Sequence, residues 1–355
     1  MDGRLSHPYS DDPGARAAIQ AAWNRLLAHR YVDFVSGSCF HHLTPQHTMK
    51  YDKVVLAGGN GYLGQVLQEY YKPLTRELIV LSRKPAPQTE NIKTIVWDAR
   101  TAGEWADCLN HADMLINLCG KNVNCRYTLE NQTEIISSRV GPTTLLAHVI
   151  QSLAVPPRLW INVTSATIYR HAEDRPQDEE TGEIGYGFSI DVCKKWEDAF
   201  FQSPTPRTRK VALRMGIVFG KRDGAFPRLL TLARMGAGGK LGNGQQYVSW
   251  IHEQDAAKCT EWLLQHESVS GVFNCTSPKP VKNEALMAAI RNACGIPFGV
   301  PTPAWLLEIG ARLIGTETEL LLKSRWVLPK RLLDNQFEFS YPEVEHAING
   351  IVWQP

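Results

Sequence analysis

The stretch Val54–Gly64, VVLAGGNGYLG, decides the fold. Four apolar residues run straight into Gly58, Gly61 and Gly64, a G-x-x-G-x-x-G series, and the residues after Gly61 read as a helix. Glycines between a strand and a helix let the backbone turn tightly and approach a pyrophosphate, whose charge is favoured at the helix N-terminus. The expectation is a dinucleotide site. At the end of the next apolar run, ELIVLS, an NAD site would offer an acid to the ribose 2′-hydroxyl. The chain instead reads Ser82, Arg83, Lys84. A hydroxyl and two cations suit a 2′-phosphate, to which a guanidinium makes paired charge-assisted contacts, so NADP(H) is the expected cofactor. The competing reading of Arg83 and Lys84 is a solvated loop.

Further out, apolar runs recur at KVVLAG, ELIVLS, IKTIVW, DMLINLC, RLWINVTS and RKVALRMGIVFG. Helical stretches separate them: one up to Tyr71, one near 101–109, one over about 127–153 interrupted at Gly141–Pro142, and CKKWEDAFF. Short apolar strands alternating with helices imply parallel pairing through right-handed crossovers. The predicted fold class is α/β, a Rossmann-type doubly wound parallel sheet of six or seven strands with a smaller C-terminal substrate lobe. Three segments are expected: residues 1–50 as an N-terminal extension, peripheral or disordered; 51–220 as the NADP-binding core; and 221–355 as a mixed substrate lobe. The glycine-rich segment 236–246, GAGGKLGNGQQ, reads as a flap over substrate or as a surface loop. Trp250 and Trp326 read as packing residues.

Composition narrows the function classes. A chain of 355 residues with 43% hydrophobic residues can bury a substantial core. Its net charge of +2, without long basic runs, points away from nucleic acid and anionic membranes. The eight cysteines (39, 108, 119, 125, 193, 259, 275, 294) form no C-x-x-C pair and no zinc spacing, which predicts reduced thiols, a cytoplasmic setting and no metal. No apolar run approaches the length of a membrane span. The expected partner is an unidentified small-molecule substrate, with a homodimer allowed.

Several further motifs lie in order along the chain: NLCG (117–120), ISSRV (136–140), VTSATIY (163–169), VCKKWE (192–197), RMGIVFG (214–220), GQQYVSWIH (244–252) with Asp255, LLLKSRWVLP (320–329) and FEFSYP (337–342). With the glycine turn, these make the chain resemble an extended short-chain dehydrogenase/reductase, in the atypical branch called epimerase family or sugar nucleotide epimerase-like proteins. The resemblance covers about Lys53 to Trp353. It implies a Rossmann core, NADP(H) and a C-terminal segment of its own, with a link to cell division for some members. The expected cofactor residues are Gly58, Asn60, Gly61, Tyr62, Leu63 and Gly64 in the turn; Ser82, Arg83, Lys84 and Asp98 after the second and third strands; Asn117, Leu118, Cys119 and Gly120 after the fourth; and Val163, Met215 and Gly216 near the later strand ends.

In active members of that class a Ser orients the substrate while a Tyr-x-x-x-Lys pair moves the proton. The resemblance makes Ser165 the orienting hydroxyl. It places Ser189 and Cys193 where the tyrosine and lysine would stand, and no Tyr-x-x-x-Lys occurs in the chain. Three readings stay open. Tyr186 could reach in with Lys194; a group from elsewhere could serve, with His252, Lys121, Arg126, Tyr169 and Arg325 as candidates; or the chain binds NADPH without turnover, as a regulatory or redox-sensing protein. Cys119 and Cys193 would lie near the cofactor, with no base argued beside either.

Overall fold

A computed structural model describes residues 49–313, 317 and 319–353. The expectation for residues 1–50 lies outside these, apart from Met49 and Lys50, and the Lys50 ammonium donates to Glu261 at 2.6 Å. Seven strands form one sheet: β1 (Tyr51–Ala57), β2 (Thr75–Ser82), β3 (Ile92–Val96), β4 (Met114–Asn117), β5 (Leu159–Ser165), β6 (Arg209–Met215) and, later in the chain, Gly271–Cys275. Two short strands, β7 (Ile217–Phe219) and β9 (Trp250–His252), pair in parallel outside it, and β8 (Tyr247–Val248) pairs with β11 (Val281–Lys282). Gly271–Cys275 is therefore β10. The large sheet runs β10-β6-β5-β4-β1-β2-β3 with every neighbouring pair parallel.

Alternation within β1 divides the core. Val54 and Leu56 face one layer with Leu67, Tyr71, Ala256 and Leu263, while Val55 and Ala57 face the other with Leu146, Ile150, Trp160 and Phe200. The first layer is closed by α1 (Tyr62–Tyr71) and the helix over Glu253–Gln265; the second by α2 (Leu129–Ser152) and α3 (Phe188–Gln202). Each fully buried Leu or Val side chain contributes about 1.5–3 kcal/mol relative to exposure. A third cluster, with Phe219, Phe226, Trp250, Leu286 and Ile348, forms the smaller lobe. Trp250 of this cluster stacks on Phe219 at 5.5 Å; Trp326 stacks on Tyr247 at 4.0 Å. Both tryptophans pack as expected.

Three details differ from the sequence reading. The seventh strand comes from beyond residue 220, because the open edge of β6 pairs with Gly271–Cys275. Helix α2 runs unbroken through Pro142. A proline inside a helix costs about 3 kcal/mol, but Ile135 on one side of it and Leu146, Ala147 and Ile150 on the other are buried, and their packing outweighs the missing bond. The segment 236–246 is no free flap: Gly239 N–H donates to Val300 at 3.2 Å, Thr302 N–H to Lys240 at 2.9 Å and Gly242 N–H to Thr302 at 2.9 Å.

Candidate functional site

The glycine turn lies at the C-terminal end of β1, the edge where open parallel sheets bind ligands. Gly58 has φ +75°, and a side chain there would meet Cys119 at about 3.0 Å. Gly64 presses on the preceding backbone so closely that a Cβ would stand 2.1 Å from the Gly59 carbonyl oxygen. Gly61 is different. It caps α1 in extended conformation with no side chain on the helix N–H groups, and a Cβ there would meet nothing within 4 Å. The N-terminus of α1 therefore faces open space with its backbone donors presented.

Side chains around the turn have settled roles. The Asn60 amide donates to Ser82 Oγ at 2.5 Å, which also accepts from Lys84 N–H at 3.1 Å, so Ser82 ties the turn to the end of β2. The Tyr62 hydroxyl is bonded to Glu253, and burial followed by that carboxylate pushes its pKa well up. Tyr62 thereby fastens α1 to the later helix. Arg83 and Lys84 are exposed, and their cationic ends have no ion-pair partner among the described residues. The Asp98 carboxylate accepts from Arg100 N–H, Thr101 N–H and the Thr101 hydroxyl at 2.8–2.9 Å, bonds that pull its pKa down to about 2.

At the end of β4, Asn117 is fully buried. Its amide donates to Asn162 Oδ1 at 2.7 Å and Thr143 Oγ1 at 3.0 Å, and its Oδ1 accepts from Cys119 N–H at 3.1 Å. Asn117 thus shapes the loop from beneath. Leu118, Cys119 and Gly120 line a cleft of about 270 Å³ with Leu63, Val163 and Ser165. The opposite wall comes from Tyr127, α2 and α3: Arg139, Phe188, Ser189, Cys193 and Trp196. Ser165, at the end of β5, accepts from Thr167 N–H at 3.2 Å and borders this space. Met215 and Gly216 lie outside the lining; Gly216 permits close packing, since a Cβ would come within 2.9 Å of the Ser249 carbonyl oxygen.

The charge of the cleft comes from Arg139. Its guanidinium donates to the carbonyls of Ile135 and Lys121, both at 3.0 Å, stacks 5.2 Å from the Trp196 ring and has no carboxylate partner among the described residues. Burial lowers its pKa from the ordinary value. Ser189 Oγ lies 3.1 Å from a Glu319 carboxylate oxygen and 3.4 Å from the Tyr127 hydroxyl. Behind this wall, Arg325 donates to Thr167 Oγ1 at 3.2 Å and Lys323 to the Thr167 carbonyl at 3.1 Å.

The substitute acids foreseen from sequence do not gather at the cleft. Tyr186 is 93% exposed, just ahead of the φ +106° turn at Gly187, and Lys194 is exposed on α3; neither lines the cleft. His252 is buried, accepts from Gln254 N–H through Nδ1 at 3.2 Å to cap a helix, and stacks on Tyr341 at 3.8 Å. Tyr169 is buried against Arg214 and Asn274. Lys121 is held by Asn131 and Glu134, and Arg126 by Glu317. Burial pushes the thiols of Cys119 and Cys193 up to about 12, which leaves them protonated and poor nucleophiles. Tyr127 and Glu319 had no place in the sequence reading, and Arg139 only as a letter of ISSRV. The signal for Tyr127 is its position, in a loop directly after the cofactor-side NLCG.

A wider depression of about 460 Å³ lies at the other edge of the sheet, lined by Asp52, Arg76, Glu77 and Lys93 among others. Its charges pair with each other, Arg76 with Asp52 at 3.3 Å and Lys93 with Glu77 at 2.7 Å. Among the described residues no group of His, Cys, Asp and Glu could hold a metal ion, and no helix is long and apolar enough to cross a membrane.

Known proteins are similar to most of the chain. Residues 54–276 match the NAD dependent epimerase/dehydratase family, and residues 302–351 match a domain of unknown function, DUF1731. The mouse epimerase family protein SDR39U1 is 31% identical over 304 residues, 84% of this chain and 99% of the mouse protein. The Bacillus subtilis epimerase family protein YfhF is 28% identical over 84% of this chain and 97% of its own. The crystal structure of human epimerase family protein SDR39U1 (isoform 2), determined with NADPH, superposes with a TM-score of 0.75 at 30% identity, covering 84% of this chain and 99% of the human one. With the family model matched over residues 54–276 and the mouse protein aligned over nearly its whole length, the chain belongs to the NAD dependent epimerase/dehydratase family.

Proposed function

We propose that the chain is an NADP(H)-dependent oxidoreductase or epimerase-like enzyme acting on a small or sugar-like substrate in the cleft beside Ser165 and Ser189. The observation that carries the reading is the uncapped N-terminus of α1, open at Gly61, with Leu63 two residues on lining a cleft that Cys119, Ser165 and Ser189 also line. The human relative's structure with NADPH supports the choice of cofactor. Gly58, Asn60, Gly61, Leu63 and Gly64 would hold the pyrophosphate; Arg83 and Lys84, beside Ser82, the 2′-phosphate; and Leu118, Cys119, Gly120 and Val163 the nicotinamide half. When bound, the cofactor supplies or removes a hydride. The chain's own part is to exclude water with apolar walls, to orient a substrate oxygen through Ser165, and to offer the Arg139 cation to an anionic group on the substrate.

Fluorescence titration with NADPH and NADH tests the cofactor claim. Tighter NADPH binding is expected, and Arg83→Asp should weaken NADPH by about ten- to a hundredfold, the equivalent of one charge-assisted contact, while leaving NADH unweakened. Equal affinities in the wild type, or no response to Arg83→Asp, would sink the 2′-phosphate argument. A second reading, a non-catalytic NADPH-binding regulator, is favoured by Ser189 and the protonated, buried Cys193 standing where a tyrosine and lysine are usual. Turnover of small carbonyl compounds with NADPH separates the two.

A further inference from the structure

We propose that Tyr127 is the proton-carrying hydroxyl of the cleft, and that it exchanges its proton with Glu319 through Ser189. The inference rests on the enzyme reading above. It starts from the vacancy on α3. The serine at position 189 has too short a side chain to reach far into the cleft, and the space beside it holds the hydroxyl of Tyr127, 3.4 Å from Ser189 Oγ. The Tyr127 ring is fixed edge-on against Phe188, with centroids 4.8 Å apart, and its backbone N–H is held by Glu317 at 2.9 Å. A phenol from the loop after β4 thus borders the same cleft as Ser165, the hydroxyl that orients substrate.

Ser189 has one hydrogen to donate and two oxygens within reach, Tyr127 Oη and Glu319 Oε2. Ser189 Oγ is placed to donate to either oxygen; when its hydrogen turns to the carboxylate, which cannot donate in return, the serine oxygen is free to take the phenol proton. The order substrate, Tyr127, Ser189, Glu319 follows, and the Glu319 side chain, 38% exposed, meets solvent. In the oxidative direction a substrate alcohol loses its hydride to oxidised nicotinamide. Its hydroxyl proton passes to Tyr127 Oη, the phenol proton to Ser189 Oγ and the serine proton to the Glu319 carboxylate. Reduction of a carbonyl runs the same transfers backwards, with reduced nicotinamide as the reductant. The base is the carboxylate, and no lysine is needed to lower the phenol pKa. The charged and titratable groups facing Tyr127 are Glu317 and Glu319, Arg139, Arg325 and Cys125, and the Glu319 carboxylate itself has the Lys323 ammonium 3.8 Å away. Burial raises the phenol pKa, the Ser189 contact lowers it and the Glu319 charge raises it, so the resting phenol keeps its proton.

The first test needs no substrate. Ultraviolet titration of the wild type minus Tyr127→Phe isolates the Tyr127 band, and in Glu319→Gln that band should move to lower pH because an anionic neighbour is gone; an unmoved band would break the proposed chain. The second uses diacetyl and glyceraldehyde as carbonyl probes with NADPH. Tyr127→Phe, which keeps the ring packing, should retain NADPH affinity and lose about 10²- to 10⁴-fold in kcat, the usual size of a proton-transfer contribution. Glu319→Gln should lower kcat and shift its pH profile. Wild-type turnover that survives in Tyr127→Phe would overturn this inference alone. A wild type that binds NADPH tightly but reduces neither probe would overturn the enzyme reading and this inference with it.

Discussion

The imidazole of His252 illustrates how burial decides what a residue can do. A histidine near a nicotinamide site is an attractive acid at neutral pH, but this one is 2% exposed, with its Nδ1 lone pair spent on a helix cap. Burial, followed by the nearby His346, lowers its pKa from 6.5 to about 4. The folded state therefore binds this proton less readily than the unfolded chain does. Its contribution to stability is full above pH 6.5 and is lost as pH falls from 6.5 towards about 4, amounting to no more than about 3 kcal/mol. Urea midpoints measured across that range should fall with pH in the wild type and flatten in His252→Asn, whose amide oxygen can still cap the helix. A slope unchanged in the variant would assign the acid sensitivity to other groups. Tyr186 makes the converse point: its place in the sequence invites a role, yet its ring stands in solvent.

At the scale of elements, the turn between β1 and α1 separates two uses of glycine. Gly64→Ala drives a methyl group against the Gly59 backbone and should destabilise the fold by about 3 kcal/mol. Gly61→Ala adds the same group in open space at φ −72°, so the protein should melt as the wild type does while NADPH affinity drops at least about tenfold. Thermal melts paired with cofactor titration check both, and normal binding by Gly61→Ala would mean that the space beside it holds no phosphate. The elements themselves were largely legible. Strands β1 to β6 announce themselves as apolar runs bounded by turn residues, and the glycine turn marks where ligand would sit. β10 was not legible: GVFNC carries three apolar residues after a glycine, and only the free edge of β6 makes it a strand. Pro142 misled because local propensity was outweighed by packing that no local pattern records. Tyr127 and Ser189 are 62 residues apart, and Ser189 and Glu319 are 130, so nothing short of the folded chain brings the three together.

Across the whole molecule, one buried polar network ties the sheet to the cleft. Arg214 on β6 makes two bonds to Glu197 on α3, at 2.9 and 2.7 Å, and a third to Tyr169 at 2.8 Å. Glu197 also accepts from Thr164 on β5 at 3.0 Å, and Tyr169 donates to Asn274 on β10 at 3.1 Å. Both charged side chains are 9% exposed. Removing one strands the other: Arg214→Met should cost about 3–5 kcal/mol, and the pair Glu197→Leu with Arg214→Met distinctly less than the sum of the two single changes. Chemical denaturation of the three variants measures this, and additive losses would mean that the two charges do not depend on each other.

The segment Ser324–Leu328 ties together parts of the chain that lie far apart in sequence. Ser324 Oγ donates to the Ala172 carbonyl at 2.6 Å across 152 residues of chain, Val327 N–H donates to Ser249 Oγ at 2.8 Å, and Gln177 N–H donates to the Trp326 carbonyl at 2.7 Å. Arg325 reaches Thr167 from the same segment. In the order of biosynthesis these residues emerge long after the glycine turn and the first six strands. A growing polypeptide can therefore own a finished glycine turn while the segment that braces Thr167, Ala172 and Gln177 has yet to be made.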